Sequence, residues 1–440
     1  MDYGRRVLSL TAGIAGMIGV GSIYAISAWN AELKDLLHFS QAGISTVSSM
    51  ALLGAYLSFF PGILFDRIGP FKSILLGGFG LAILHAVLYA SLTYFPESVD
   101  AFAIGLCLLL VGQLSAFVIF STMVANEGIF GVHNRGKIMA TLTSAYSCGG
   151  AFFAFVFQHA FVGDVPGYFV FVGTFLVAVC LFGWGALYRS RQTRRLSEEI
   201  VDGNVGVPVL SEEKLSLVSN DVTGVELLRD TRFWLLFVPV LIIIGAGLFV
   251  MSNVSFIVES LGGPAEQVPL MVALFSVSNT LCRLATGTLS DLVLSRYPRA
   301  TFAAASVLMT VLTQLGFLWI PSSLLIIPVT MAGMAEGVMF GSFPVIMREA
   351  FGVKHYGKNY GLISFANCIG YPLFYSPISS FFYQRAAISL QPDGMQKCYG
   401  DACFRPVFLL IIGLSVVALV CCLKLISRQF KHHPRYHVLP

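Results

Sequence analysis

The sequence predicts an all-α membrane protein: twelve transmembrane helices in two pseudo-symmetric six-helix bundles. Three observations predict it. The 440 residues are 56% hydrophobic and only 11% charged, with a mean hydropathy of +0.79. A soluble domain carries about 25% charged residues, so this chain cannot cover a water-facing surface. The apolar runs are continuous over about twenty residues, the length of a bilayer-crossing helix, and lack the alternation over about ten residues that a spanning barrel needs. Finally, the halves repeat. Gly62-x-x-x-Asp66 recurs as Gly287-x-x-x-Asp291, and Phe130-Gly131-Val132 with Gly136-Lys137 recurs as Phe351-Gly352-Val353 with Gly357-Lys358. Parallel repeats of this kind build two-bundle transporters. The second copy of the first motif is degenerate, with Leu292 where the first copy has Arg67.

Taken in order, the spans fall at approximately 8–29, 44–64, 73–94, 101–125, 138–160, 167–188, 233–257, 268–290, 300–320, 323–347, 359–383 and 405–426. Residues 1–188 form the first bundle and 233–440 the second, with its tail. Residues 189–232 form a linker, which opens on Arg189, Arg191, Arg194 and Arg195 and turns acidic at Glu198, Glu199, Glu212 and Glu213. Only Lys34, Arg385, Lys397 and Arg405 of the 27 Lys and Arg fall on one side of this arrangement. The positive-inside rule therefore places both termini and the linker in the cytoplasm; the choice between plasma membrane and organelle stays open. The first apolar stretch is long and lacks a clear cleavage site, so it reads as a retained helix. The basic clusters read as cytoplasmic anchors, with no nucleic-acid partner expected.

The loop Gly62–Lys72 (GILFDRIGPFK) lies between the second and third spans. Asp66, Arg67 and Lys72 cannot sit in hydrocarbon, Gly62 permits close helix approach, and Gly69-Pro70 forces a turn. This stretch resembles the G-x-x-x-D-R-x-G loop of the major facilitator superfamily, with Pro70 and Phe71 in place of its usual basic residues. Within that superfamily the chain is similar to nodulin-like proteins. The likeness rests on Tyr24-Ala25-Ile26-Ser27, on Lys354-His355-Tyr356-Gly357-Lys358-Asn359-Tyr360-Gly361, and on Cys398-Tyr399-Gly400-Asp401-Ala402-Cys403-Phe404. Asn279, Arg283, Gly287, Ser290 and Asp291 also resemble a run in oxalate/formate-type carriers, and monocarboxylate-type carriers are related. The resemblance implies a major facilitator fold and a transport function without naming a substrate.

Transport needs polar groups at the midplane and gates on each side. Glu336, near the middle of span ten, is the leading candidate for proton coupling or solute recognition, because an intramembrane carboxyl is costly. Gln113 lies at similar depth in the other half, as a solute ligand or an interhelical hydrogen bond. Tyr24, Asn253, Asn367 and Tyr371 are further candidates for lining a solute site. Each aromatic is weighed against plain packing, and Trp29 reads as an interfacial anchor. Tyr371 and Tyr375, four apart, share a helix face, and Pro372 and Pro377 should bend that helix. Arg283 suits a carboxylate-bearing solute, but a gate salt bridge with Asp291 or Glu127 is the favoured reading. The gate is expected at Gly62, Asp66, Arg67, Gly69, Gly287 and Asp291, with Glu127, Arg135 and Arg348, held by ion pairs. His85 reads as structural and His159 as a surface residue. Cys398 and Cys403 are candidates for a disulfide if their loop faces an oxidising compartment. Two thiols are too few for a metal site, and no metal or cofactor is expected.

The sequence thus points to secondary active transport of a small polar organic solute by alternating access, with protons as a candidate coupling ion. No G-x-x-x-x-G-K-[ST] run occurs in the chain. Two alternatives are a monocarboxylate carrier using Arg283 and a non-transporting receptor or assembly partner on a transporter fold. An enzyme is the least favoured class, for want of an extramembrane domain or a convergent acid–base cluster.

Overall fold

In hydrocarbon every backbone N–H and C=O must be satisfied within its own segment, so long apolar runs fold as helices. A computed structural model describes residues 3–131, 134–204, 221–294, 296–352, 354–386, 389–390 and 396–432. Among them ten helices are long and apolar enough to cross a membrane. One, Gly43–Tyr94, holds the second and third predicted spans, parted where Gly69 leaves helical geometry at φ 76. The eleventh predicted span is not among the ten.

The helices are α1 (Tyr3–Val20), α2 (Ile26–Leu36), α3 (Gln41–Tyr56), α4 (Phe59–Tyr94), α5 (Ala101–Phe130), α6 (Arg135–Ala160) and α7 (Val165–Asn204), then α8 (Val225–Arg229), α9 (Thr231–Ser260), α10 (Val268–Leu292), α11 (Ala300–Trp319), α12 (Ile326–Phe351), α13 (Tyr356–Cys368), α14 (Ser376–Ala386) and α15 (Arg405–His432). A 3₁₀ turn, Gly21–Ala25, joins α1 to α2, and a π-helical segment, Ile369–Tyr375, joins α13 to α14. Two short antiparallel strands, Ser389–Leu390 and Gln396–Lys397, form a hairpin before α15.

Helix starts are capped as their sequences suggest. Ser40 accepts from the Gly43 N–H, Asp100 from Ala103, and Asp230 from Arg232, each satisfying a donor left free in a first turn. Along α4, Phe79, Ile83 and Val87 are exposed, whereas Leu81, His85 and Leu88 are buried. Over 79–88 both faces are apolar but for His85, because one meets lipid and the other the bundle.

The chain divides into two units. The first is Met1–Leu227 with Phe351–Leu362; the second is Leu228–Ala350 with Ile363–Pro440. The first unit's core centres on Leu81, Leu88, Val118, Phe153 and Phe157, and the second unit's on Phe249, Val250, Ile257, Met271 and Phe408. Most of the predicted linker's acidic second half (205–220) lies outside the described residues, as do Val132 and Val353 of the repeat. The linker's final residues pack, with Leu227 only 1% exposed.

Two local readings are corrected. Trp29 is buried, seated edge-on against Phe169 rather than anchored at an interface. The shared face of Tyr371 and Tyr375 presumes α-helical register, but both lie in the π segment, where the turn is wider. Tyr375 is fully buried, whereas Tyr371 is half-buried.

Candidate functional site

The second unit buries a charged cluster between α9, α10 and α12. Asn279 and Arg283 are four apart on α10 and so share a face; each is 6% exposed, and Glu336 on α12 is 4% exposed. Arg283 Nε donates to Asn279 Oδ1 at 2.7 Å. The Glu336 carboxyl lies within interaction reach of the Asn279 side chain and within the electrostatic reach of Arg283. The Arg283 guanidinium stacks over the Phe340 ring, 4.1 Å from its centroid, a favourable seat for a desolvated cation.

Close helix approach makes this burial feasible. A Cβ at Gly337 would collide with the Asn279 backbone, and one at Gly247 would lie 2.8 Å from Glu336 Oε2. The cluster therefore holds an acid, a fixed cation and an amide bridging them. Of the acids expected as gate partners for Arg283, Asp291 pairs with Arg299 and Glu127 with Arg135.

The other second-unit candidates stand apart. Asn253 Nδ2 donates to the Phe249 carbonyl of its own helix at 2.9 Å. Asn367 is buried with its Oδ1 unpartnered, and Tyr371 is half-buried. None of the three bonds to the Glu336 cluster among the described residues.

In the first unit, Gln113 Nε2 donates to the Gly54 and Leu57 carbonyls at 2.8 and 2.6 Å. The predicted second span runs unbroken over 44–64, but the helix breaks at Leu57 (φ −80, ψ 55). Pro61, four residues on, has no N–H to offer the Leu57 carbonyl. Gln113 supplies the missing donor, so its observed work is to satisfy the break. Tyr24, on the 3₁₀ turn, bonds the Tyr56 hydroxyl at 3.2 Å and meets Tyr146 edge-on at 5.2 Å.

The predicted cytoplasmic gate residues divide between the units. Asp66 accepts the backbone N–H groups of Gly357 and Lys358, both at 2.9 Å. It thereby caps the first turn of α13, where a helix end favours negative charge. Its partner is a helix end rather than the side-chain cation expected. Gly62 is where α4 and α13 touch, since a Cβ there would run into the Gly357 carbonyl. Arg67 is exposed. The same α13 start is held by the end of the linker: Asp221 accepts from the Lys354 N–H at 3.3 Å, and Asn359, 1% exposed, bonds Thr223 at 3.1 Å and the Val222 carbonyl at 2.8 Å.

In the second unit Asp291 pairs with Arg299 at 2.6 Å. Arg299 also binds Glu349 at 2.9 Å and Ser290 Oγ at 2.5 Å, with only 1% of its side chain exposed. Burial opposes the Arg299 charge, but the Glu349 and Asp291 carboxylates outweigh it and hold the guanidinium above its usual pKa. Gly287, one turn before Asp291, is buried, and its carbonyl accepts from Ser290.

Arg299 is the member of this cluster that the sequence does not point out; it lies in an apparent basic loop. Asp291, eight residues before it, was the available signal. Asn279 was noted only as part of a motif, not as the link between Arg283 and Glu336. Cys398 and Cys403 form a disulfide, and between them the Gly400 N–H donates to the Ser260 carbonyl at 2.7 Å.

Comparison with known proteins places these features. The model of the Major Facilitator Superfamily matches residues 10–293 and 235–437. The chain is 23% identical to "Probable transporter mch1" of Aspergillus fumigatus, over 91% of this chain and 82% of that one. It is 22% identical to "Probable transporter MCH1" of Candida albicans, over 94% and 91%. Among solved structures it resembles the proton:xylose symporter XylE (TM-score 0.67, 13% identity, 96% of each chain). It also resembles the human organic anion transporter MFSD10 (TM-score 0.64, 14% identity, 96% of this chain and 100% of that one).

Proposed function

This chain belongs to the Major Facilitator Superfamily, and we propose that it is a secondary active transporter moving a small polar organic solute with a proton by alternating access. The observation that carries this reading is the buried set Glu336, Asn279 and Arg283. With Glu336 ionised, its carboxylate balances the Arg283 charge and the empty site is neutral. Protonating Glu336 removes the carboxylate within reach of Arg283, a loss of favourable interaction in a low-dielectric interior. A solute carboxylate restores the balance. Proton and anion therefore favour each other's loading, because a solute carboxylate replaces the negative charge that protonating Glu336 removes.

That charge logic favours a carboxylate-bearing solute over a neutral one. The gates are the two acid-centred clusters, and the two bundles are the moving halves. Both termini and the linker face the cytoplasm by the distribution of Lys and Arg. Kinship with nodulin-like and oxalate/formate-type carriers is part of the same proposal, supported by the motifs around Tyr24, Lys354–Gly361 and Arg283.

The test is uptake of labelled carboxylates and neutral metabolites into proteoliposomes, with and without an inward proton gradient. Gradient-driven accumulation of a carboxylate, lost in both Glu336→Gln and Arg283→Gln, is the expected result. Accumulation of a neutral solute that is indifferent to Arg283→Gln would reject the anion reading, and uptake indifferent to the gradient would reject the coupling.

A further inference from the structure

The first unit encloses a second polar site, distinct from the Glu336 cluster. A cavity of about 20 Å³ lies between the 3₁₀ turn, α2, α4 and α7, lined by Ser22, Ile26, Trp29, His85, Tyr168 and Val172 among others. Trp29, His85 and Tyr168 are 3%, 3% and 1% exposed. The Trp29 indole N–H and the Tyr168 hydroxyl are close enough to interact, yet neither atom has a hydrogen-bond partner. His85 Nδ1 lies 2.7 Å from the Leu81 carbonyl. A carbonyl only accepts, so Nδ1 carries the proton and Nε2 of the neutral ring is an acceptor.

The cavity wall thus carries a donor (Trp29), a donor–acceptor (Tyr168) and an acceptor (His85). Leaving such groups unmade costs about 1–3 kcal/mol each. A cavity needs roughly 10–15 Å³ and two to four polar partners to hold one water molecule, and this one meets both conditions. We propose that the first unit binds a single internal water molecule here, accepting from Trp29 and linked to Tyr168 and His85. The site lies beside the 3₁₀ turn, so the water joins the broken first span to α4 and α7 and fixes that break.

A density map of the full chain in lipid nanodiscs, at a resolution that shows ordered water, tests this directly. The expected result is a peak in the cavity within hydrogen-bond distance of Trp29 Nε1 and Tyr168 Oη. An empty cavity, or Trp29 bonded directly to Tyr168, would overturn it. Thermal unfolding of Tyr168→Phe gives an independent sign. If a water is held, removing one of its partners lowers the midpoint, by about 2 °C. If the cavity is dry, the substitution deletes an unpaired hydroxyl and leaves the midpoint unchanged or raised. Should Tyr168→Phe fail to fold, the wild-type map alone decides.

Discussion

Asp66 and Asp291 occupy the same place in a repeated motif, yet they bind opposite kinds of partner. Asp66 accepts two backbone N–H groups at the start of α13. Asp291 meets a buried guanidinium that also holds Glu349 and Ser290. The first contact is a carboxylate on a helix end, and either side remains tolerable to water when parted. The second is a dry ion cluster whose separation would strand charges. The comparison teaches that motif repetition conserves an acid's position but not its task. On the proposed mechanism the gate contact at Asp66 is the more readily released and the one at Asp291 the more costly to part.

The sharpest way to break this contrast is Arg299→Ala. It removes the buried cation shared by two carboxylates and should cost about 3–5 kcal/mol, read as a large fall in the thermal midpoint or loss of folded protein in detergent. Asp291→Asn removes one charged bond and should cost about 2 kcal/mol, again visible in the midpoint. Asp66→Asn keeps one acceptor oxygen and should cost about 1 kcal/mol or less, while shifting the accessibility of a cysteine introduced at the α13 start and lowering transport. Equal midpoint losses for the Asp66 and Asp291 variants would erase the distinction. Unchanged uptake by Asp66→Asn at equal expression would contradict a gate contact at Asp66. Asn359→Ala should have the smallest effect, loosening the linker's grip on α13 and increasing proteolysis near Asp221 without disturbing the second unit.

Much of the fold was legible because bilayer thickness sets one length for every span, and runs such as 101–125 meet it. What faces what was not legible. In helices such as α4 the lipid side and the core side are both apolar, so periodicity carries little information. Glu336 and Arg283 were visible as costly intramembrane charges, but their meeting through Asn279 depends on helix rotation and on Gly337 and Gly247 letting backbones close. The Asp66 partner was hidden because it is a backbone group, which every residue but proline carries. The break at Leu57 had one signal, Pro61, and its remedy lay fifty-six residues away in Gln113.

The most direct test of the central claim is proton-driven carboxylate uptake by wild type and Glu336→Gln in the same proteoliposomes. The account predicts accumulation that follows the inward proton gradient in wild type, reduced at least about tenfold in the variant, with both proteins folded. Gradient-driven accumulation that survives Glu336→Gln would contradict it, and binding without flux in wild type would return the receptor reading to first place.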